Sequence, residues 1–208
     1  MKIIEVTNLH KKIGERIIFE KVNFAIYENS LNFLIGPSGS GKTTFFNILI
    51  GIDQNYSGTV KINGKTKLNI FKENKYLKED MTIIFQNYAL INDWTVKQNL
   101  EITNKTIDEA MLKELQIESL LKTKICELSG GEQQRVAIAR SILLDTKILL
   151  CDEPTGNLDY KSAEIVMNIF ERLITKYHKT ILIITHSKKY LNDNTWKIVD
   201  KKIIKVEK

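Results

Sequence analysis

Cysteine is scarce in this sequence, which has only Cys126 and Cys151 among its 208 residues. The two stand far apart and show no metal-ligand spacing with His10, His178 or His186. The pattern therefore argues against a disulfide framework and against a zinc site built from cysteine and histidine. We expect both thiols to be reduced and to serve in packing, as is usual in the cytosol.

Long apolar runs are also missing. No run approaches the roughly 18 residues that a membrane-spanning helix needs, and residues 1–5 lack the apolar stretch of a signal peptide. The chain is therefore expected in the cytoplasm. Hydrophobic residues make up 43% of the sequence and charged residues 27%, which is typical of a soluble domain with a full core.

Concentrated positive charge is a third absence. The net charge of +6 could indicate nucleic acid or an anionic membrane surface as a partner. However, lysine is scattered along the chain, and no basic block is interleaved with aromatic residues. A solvated lysine surface explains this distribution better than a nucleic-acid groove does, so no nucleic-acid partner is expected.

The most specific pattern present is a glycine-rich loop between an apolar strand, residues 31–35, and a helix-like segment, residues 44–50. The loop consists of Gly36, Pro37, Ser38, Gly39, Ser40, Gly41, Lys42 and Thr43. Glycines let successive backbone N–H groups point into one cavity, and the positive end of the following helix favours an anion there. Lys42 can reach the β and γ phosphates of a nucleotide, and the Thr43 hydroxyl can bind Mg²⁺. An ordinary glycine-rich turn is disfavoured because a strand and a helix flank the loop, so the sequence predicts nucleotide binding.

Other apolar strands also end at polar side chains. Gln86 follows one strand, Asp152 and Glu153 follow the next, and His186 follows another. Strand and helix segments alternate over the second half of the chain, which predicts a mainly parallel sheet. Such sheets bind ligands at the carboxyl ends of their strands, so we expect these side chains to face the same nucleotide as the glycine loop.

The strand-end residues have distinct expected roles. Asp152 would share Mg²⁺ with the Thr43 hydroxyl, and Glu153 would accept a proton from an attacking water. Gln86 would order the metal and the water, and His186 would hold the γ-phosphate region. The alternatives are a solvated strand end for the two carboxylates and a capping or core histidine for His186.

A second glycine device, made of Ser129, Gly130 and Gly131, stands at the start of another helix-like segment. Free N–H groups at a helix start form an anion site, which makes this segment a second candidate for phosphate binding. An ordinary N-cap is the alternative.

With these motifs in place, the chain resembles the ATPase subunits of ABC transporters over nearly its whole length, in motif order and in spacing. The glycine loop resembles the Walker A loop, residues 128–132 the signature motif, and residues 148–153 the Walker B strand. Gln86, residues 156–159 and His186 resemble the Q-loop, the D-loop and the switch histidine of that family.

The strand pattern and the resemblance together predict one α/β domain, a P-loop NTPase with a mainly parallel core sheet. Residues 1–86 and 132–208 would form this core with an amino-terminal antiparallel β subdomain. Residues 87–131 would form an inserted α-helical lobe that ends in the signature motif, since residues 95–121 show a helical pattern. Residues 65–80 are polar and weakly periodic, and are expected to be a loop.

The resemblance implies that two copies form a head-to-tail homodimer around ATP and Mg²⁺, the signature motif of each closing on the ATP of the other. Asp159 would lie at the shared interface, and Thr44 would belong to the phosphate site. Two positions depart from the family pattern. Ile13 stands where an aromatic residue usually stacks on adenine, which leaves discrimination between ATP and GTP open, and Gln98 stands where glutamate is common.

The resemblance also implies a separate integral membrane permease, with the ATPase bound peripherally at the inner face of the cell membrane. The permease would contact apolar residues after the Q-loop, unless these are core: Tyr88, Ala89, Leu90, Ile91 and Trp94. Residues 154–159 are most similar to the subgroup serving lipoprotein release, macrolide or antimicrobial-peptide export, and bacterial cell division. We therefore expect export of such cargo, bacteriocins included. The alternatives are signalling in cell division and an ABC ATPase acting on nucleic acid or ribosomes.

Overall fold

A computed structural model of the chain describes residues 1–66 and 80–206. In chain order its strands are β1 (Lys2–Ile13), β2 (Arg16–Tyr27), β3 (Leu31–Ile35), β4 (Ser57–Ile62), β5 (Lys65–Thr66), β6 (Met81–Ile84), β7 (Ile148–Asp152), β8 (Thr180–Thr185), β9 (Thr195–Val199) and β10 (Lys202–Lys205). The helices are α1 (Lys42–Ile50), α2 (Val96–Glu101), α3 (Glu109–Glu114), α4 (Gly130–Leu143) and α5 (Tyr160–Tyr177), with 3-10 helices at Glu118–Leu120 and Ile125–Glu127. Within the two described ranges, no helix is both long and apolar enough to span a bilayer.

The first half of the chain builds a four-stranded sheet in the order β2-β1-β4-β5. All its pairings are antiparallel, which confirms the predicted amino-terminal β subdomain. Asn63 and Gly64 both have positive φ, 49° and 74°, and they form the tight turn between β4 and β5.

The second sheet has six strands in the order β10-β9-β3-β8-β7-β6. Among the described strands of this sheet, neighbours in the series β9, β3, β8, β7 and β6 pair in parallel, and only β10 at the edge is antiparallel. The mainly parallel core sheet is thus confirmed. Its register places Thr185 beside Ile35, and Asp152 beside Ile184. The carboxyl ends of β3, β8 and β7 therefore lie side by side, immediately before the polar side chains that follow them.

The core sheet is buried on both faces, as expected for parallel strands. Leu182 and Ile184 of β8 pack into a cluster with α1 and the antiparallel sheet. Ile181 and Ile183 point the opposite way, into a cluster with α4 and α5. This double burial fixes the register of β8, since a slip of one residue would exchange the two faces.

Residues 87–131 contain short helices and turns, and α2 and α3 lie within residues 95–121, where the sequence shows a helical pattern. Helix α2 begins with a capping box, in which the Thr95 hydroxyl accepts from Gln98 N at 3.2 Å and Gln98 Oε1 accepts from Thr95 N at 2.8 Å. This contact explains the departure at Gln98, because glutamine satisfies the cap as glutamate would. Met111 and Leu115 join the same apolar cluster as α4 and α5.

Two local expectations need correction or limits. Cys151 is buried and reduced, but Cys126 is exposed, so the expected packing role is wrong for Cys126. Of the loop expected over residues 65–80, Lys65–Thr66 is a strand, and residues 67–79 lie outside the described residues.

Candidate active site

The glycine loop turns sharply between β3 and α1. Gly39 and Gly41 have φ values of +73° and +106°, which favour glycine over any other residue. Lys42 folds back over the loop, and its Nζ donates to Gly36 O at 2.8 Å and to Pro37 O at 3.2 Å. The buried Ser40 hydroxyl has no hydrogen-bond partner among the described residues. A free hydroxyl and a lysine that bonds only to loop carbonyls fit a phosphate group, which would offer acceptors to both.

Beside the loop lies a cavity of about 520 Å³. It brings together most of the expected site residues: Ile13, Ser38, Gly39, Gly41, Lys42, Thr43, Thr44, Gln86, Asp152, Glu153 and His186. A larger cavity of about 890 Å³ adjoins the same loop and is lined by Gly36, Pro37 and Ser40. Asp152, Glu153, Lys42 and Thr43 line the smaller cavity and do not line the larger one, which makes the smaller cavity the candidate site.

The two carboxylates face one cavity because β7 ends between them. Strand alternation would point Asp152 and Glu153 to opposite faces, but Glu153 has φ of 48°, and its N–H donates to Ile184 O at 2.8 Å. The backbone turn at Glu153 therefore breaks the alternation, as the sequence required for a shared site. Burial, reinforced by the charge of Glu153, raises the pKa of Asp152, and Lys42 opposes the rise.

Both carboxylate oxygens of Glu153 have partners. Oε1 accepts from His186 N at 2.9 Å and lies 2.8 Å from His186 Nδ1. Oε2 accepts from Thr185 Oγ1 at 2.8 Å. The side chain of Glu153 is only 12% exposed, whereas that of His186 is 69% exposed. An ionised carboxylate can only accept, so His186 Nδ1 is the donor in this contact.

The second glycine device lies outside this cavity. The Ser129 hydroxyl caps α4, where it accepts from Glu132 N at 3.4 Å, and Glu132 Oε2 accepts from Ser129 N at 2.8 Å. The Ser129 hydroxyl also donates to Glu132 Oε2 at 2.7 Å, and this bond, together with the one from Ser129 N, lowers the pKa of Glu132. The ordinary N-cap is therefore present. Ser129 and Gly130 are nevertheless exposed and accessible to a second molecule.

The starts of α4 and α5 lie against each other. A Cβ at Gly131 would come within 2.7 Å of the Ser162 hydroxyl, so only glycine permits this approach. Asp159 caps α5 by accepting from Lys161 N at 2.9 Å and Ser162 N at 3.1 Å. The hydrogen bond from the Ser162 hydroxyl holds the pKa of Asp159 low. Asp159 is exposed, and it lies at the surface that also carries Ser129.

Two polar residues of the site were not predicted from the sequence. Arg16 lines the cavity, and its Nη2 donates to Gly39 O at 3.2 Å. It comes from the antiparallel sheet, far from the glycine loop in sequence, and no local pattern connects the two. Thr185 contacts Glu153, and the only available signal was its place at the end of β8, directly before His186.

A family model described as ABC transporter matches residues 19–156. The lipoprotein-releasing system ATP-binding protein LolD of Treponema denticola is 38% identical, and the alignment covers 82% of this chain and 80% of LolD. The chain belongs to the ABC transporter family. It is an ATP-binding subunit and an ATPase, which confirms the resemblance seen in the motifs.

Other relatives agree with this family. The bacitracin export ATP-binding protein BceA of Halalkalibacterium halodurans is 34% identical to this ABC ATPase, with 89% of the chain and 80% of BceA covered. The putative ABC transporter ATP-binding protein MG065 of Mycoplasma genitalium is 38% identical, but the chain spans only 43% of its length. A dimeric structure of the ATP-binding cassette MJ0796, bound to ADP and Pi, superposes with a TM-score of 0.82 at 29% identity and covers 99% of each chain.

Proposed function

We propose that this ABC ATPase binds Mg-ATP in the cavity beside the glycine loop and hydrolyses it with Glu153 as base. In this proposal two copies act head to tail and drive a separate membrane permease. The observation that carries the proposal is the convergence of Lys42, Thr43, Asp152 and Glu153 on one cavity, together with the exposure of Ser129 outside it.

The glycine loop and the start of α1 would bind the phosphates. Lys42 would exchange its two carbonyl partners for phosphate oxygens, a stronger bond between full charges. The first N–H groups of α1 have no side-chain cap from any described residue, so they are available to the phosphates. Ile13 lies at the rim of the cavity, 55% exposed, where it would contact the base through an aliphatic surface.

Thr43, Asp152 and Gln86 would hold Mg²⁺ between the loop and the strand ends. When bound, the ion would neutralise charge on the phosphate oxygens. Burial raises the pKa of Asp152, and a cation beside it would offset that rise by stabilising the ionised carboxylate.

Glu153 would perform the proton transfer. It would accept a proton from a water whose oxygen bonds to the γ phosphorus, as the bond from that phosphorus to the bridging oxygen of ADP breaks. His186 would hold the γ phosphate with its exposed ring, which its backbone N–H and Nδ1 keep beside Glu153. Water is excluded when the cavity closes, which strengthens each of these contacts.

Closure would come from a second copy. Ser129, Gly130 and Asp159 are exposed and do not line the cavity of their own chain. A two-fold pair would let each copy offer these residues to the ATP of the other. The MJ0796 structure, which is dimeric and bound to ADP and Pi, supports pairing of two copies by similarity.

The permease would dock beside the Q-loop, with the ATPase held at the inner face of the cell membrane. Ile91 and Trp94 are 39% and 40% exposed there, enough for an apolar contact, whereas Tyr88 is buried and belongs to the core. The names of LolD and BceA support a cargo of lipoprotein or peptide type.

The test is the Glu153→Gln variant, which keeps the size of the side chain and removes the base. We expect hydrolysis to fall by about 100-fold or more, while Mg-ATP still binds, because the phosphate loop is unchanged. Glu171→Gln, an exposed change on α5, is the matched control and should hydrolyse ATP normally. Full turnover in Glu153→Gln would refute the assignment.

Identification of the protein that co-purifies from membranes would test the permease.

A further inference from the structure

The hydroxyl of Thr185 has a fixed direction. Its Oγ1 accepts from Ser187 N at 3.0 Å and lies 2.8 Å from Glu153 Oε2. A backbone N–H can only donate and a carboxylate can only accept. The hydroxyl must therefore accept from Ser187 and direct its own proton to Glu153, so the three groups form a chain with one polarity.

The backbone that carries this hydroxyl is also fixed. Thr185 is 5% exposed and is the last residue of β8, which lies between β3 and β7 in the core sheet. It pairs with Ile35, directly before the glycine loop. Threonine is branched at Cβ, which limits its χ1 rotamers in a strand. The donor is consequently held by the most buried part of the fold.

The other contact of the Glu153 carboxylate is less constrained. Oε1 depends partly on the ring of His186, whose side chain is 69% exposed. Glu153 itself stands at a backbone turn with φ of 48°, where the strand no longer defines its orientation. Among the described residues, the Thr185 hydroxyl is thus the buried side-chain donor that holds the carboxylate.

We propose that Thr185 is a positioning residue for ATP hydrolysis, whose hydroxyl holds the Glu153 carboxylate in the orientation that accepts the proton of the attacking water. This inference rests on the proposed role of Glu153 as base. Thr185 does not line the phosphate cavity, so it acts through Glu153 and not on the nucleotide.

Thr185→Val removes the hydroxyl and keeps the shape of the side chain. Loss of a hydrogen bond to a charged group lowers kcat by about 10- to 100-fold when that bond acts mainly in the transition state. We expect a loss of that size in single-turnover hydrolysis. The affinity for Mg-ATP should stay at the wild-type value, because no phosphate or metal contact is altered.

Conservative variants separate positioning from packing. Thr185→Ser and Thr185→Ala differ only in the hydroxyl, so Ser should hydrolyse ATP within about threefold of wild type and Ala should be as impaired as Val. This pair also decides the question if Thr185→Val does not fold. Thr180→Val is the matched control, since Thr180 is equally buried at the other end of β8 and accepts from Asn29 N at 3.0 Å.

A double-mutant cycle with Glu153→Gln completes the test. If Thr185 acts through Glu153, adding Thr185→Val to Glu153→Gln should cause no further loss of hydrolysis. A further loss in that background would overturn the inference, and so would full activity of a folded Thr185→Val or equal impairment of the Ser and Ala variants. An active Glu153→Gln would instead refute the proposed function, so the two failures are distinguishable.

Discussion

The shape of the phosphate loop depends on a close approach that only Gly41 permits. It stands at φ +106°, and a Cβ there would lie 2.9 Å from both Ile18 Cγ2 and Phe19 Cζ. Phe19 is fully buried and packs edge-on against Phe45 at 5.8 Å, so neither neighbour can move away freely. Gly41→Ala should therefore destabilise the chain through backbone strain and through crowding of the core.

The expected size follows from the two effects. The left-handed backbone costs about 1–2 kcal/mol for a residue with a side chain, and overpacking a filled core costs about 1–3 kcal/mol. Their sum predicts a loss of about 2–5 kcal/mol. Gly39 provides the control, because its φ is +73° but a Cβ would meet nothing within 4 Å. Gly39→Ala should cost only about 1–2 kcal/mol.

Equilibrium unfolding in urea, without nucleotide, measures both variants on the same scale. Gly41→Ala should be less stable than Gly39→Ala by about 1–3 kcal/mol. Phe19→Leu replaces the crowding ring with a smaller side chain. In a double-mutant cycle it should therefore reduce the stability that Gly41→Ala loses. Equal stability of the two alanine variants would refute the claim that core packing against β2 shapes the loop.

Three further predictions concern the site and its support. Burial raises the pKa of Asp152, so the folded state holds that proton more tightly and its stability falls as pH rises through the ordinary aspartate range. Asp152→Asn should accordingly raise the Tm of the nucleotide-free protein at pH 7 and abolish the extra stabilisation by Mg-ATP; an unchanged Tm would contradict this. Arg140 donates to Ala89 O at 2.8 Å and to Tyr88 O at 3.1 Å, so Arg140→Met should cost about 1–3 kcal/mol in urea unfolding, and no loss would count against that anchor. Lys42→Ala should weaken Mg-ATP binding in calorimetry by about 10- to 100-fold, and unchanged affinity would exclude its phosphate role.

The core sheet was predictable because its strands are short buried runs that end at polar residues. The sequence predicted a strand directly before His186, and the structure places β8 there. The first two strands were harder, since β1 and β2 continue for 12 residues each. Register shifts such as the one between Val6 and Leu9 interrupt their alternation, so strands of this length do not show a simple period-2 pattern.

The site was predictable where neighbouring strand ends meet, and unpredictable where contacts are distant or lack a pattern. Asp152 and Glu153 followed from the end of an apolar run. Arg16 reaches the cavity from another sheet, and only the tertiary structure brings it there. Threonine is common in strands, so Thr185 gave no separate signal. Cys126 was expected in the core because cysteine is usually buried, but it lies on the surface.

The central claim is that ATP is held between two copies, by the glycine loop of one and the Ser129 segment of the other. Its most direct test is the solution mass of Glu153→Gln saturated with Mg-ATP. We predict a species of twice the monomer mass, which disappears when Ser129→Arg is added. The control change Glu171→Arg on α5 should leave that species in place. A monomer under these conditions, or a dimer that survives Ser129→Arg, would contradict the account.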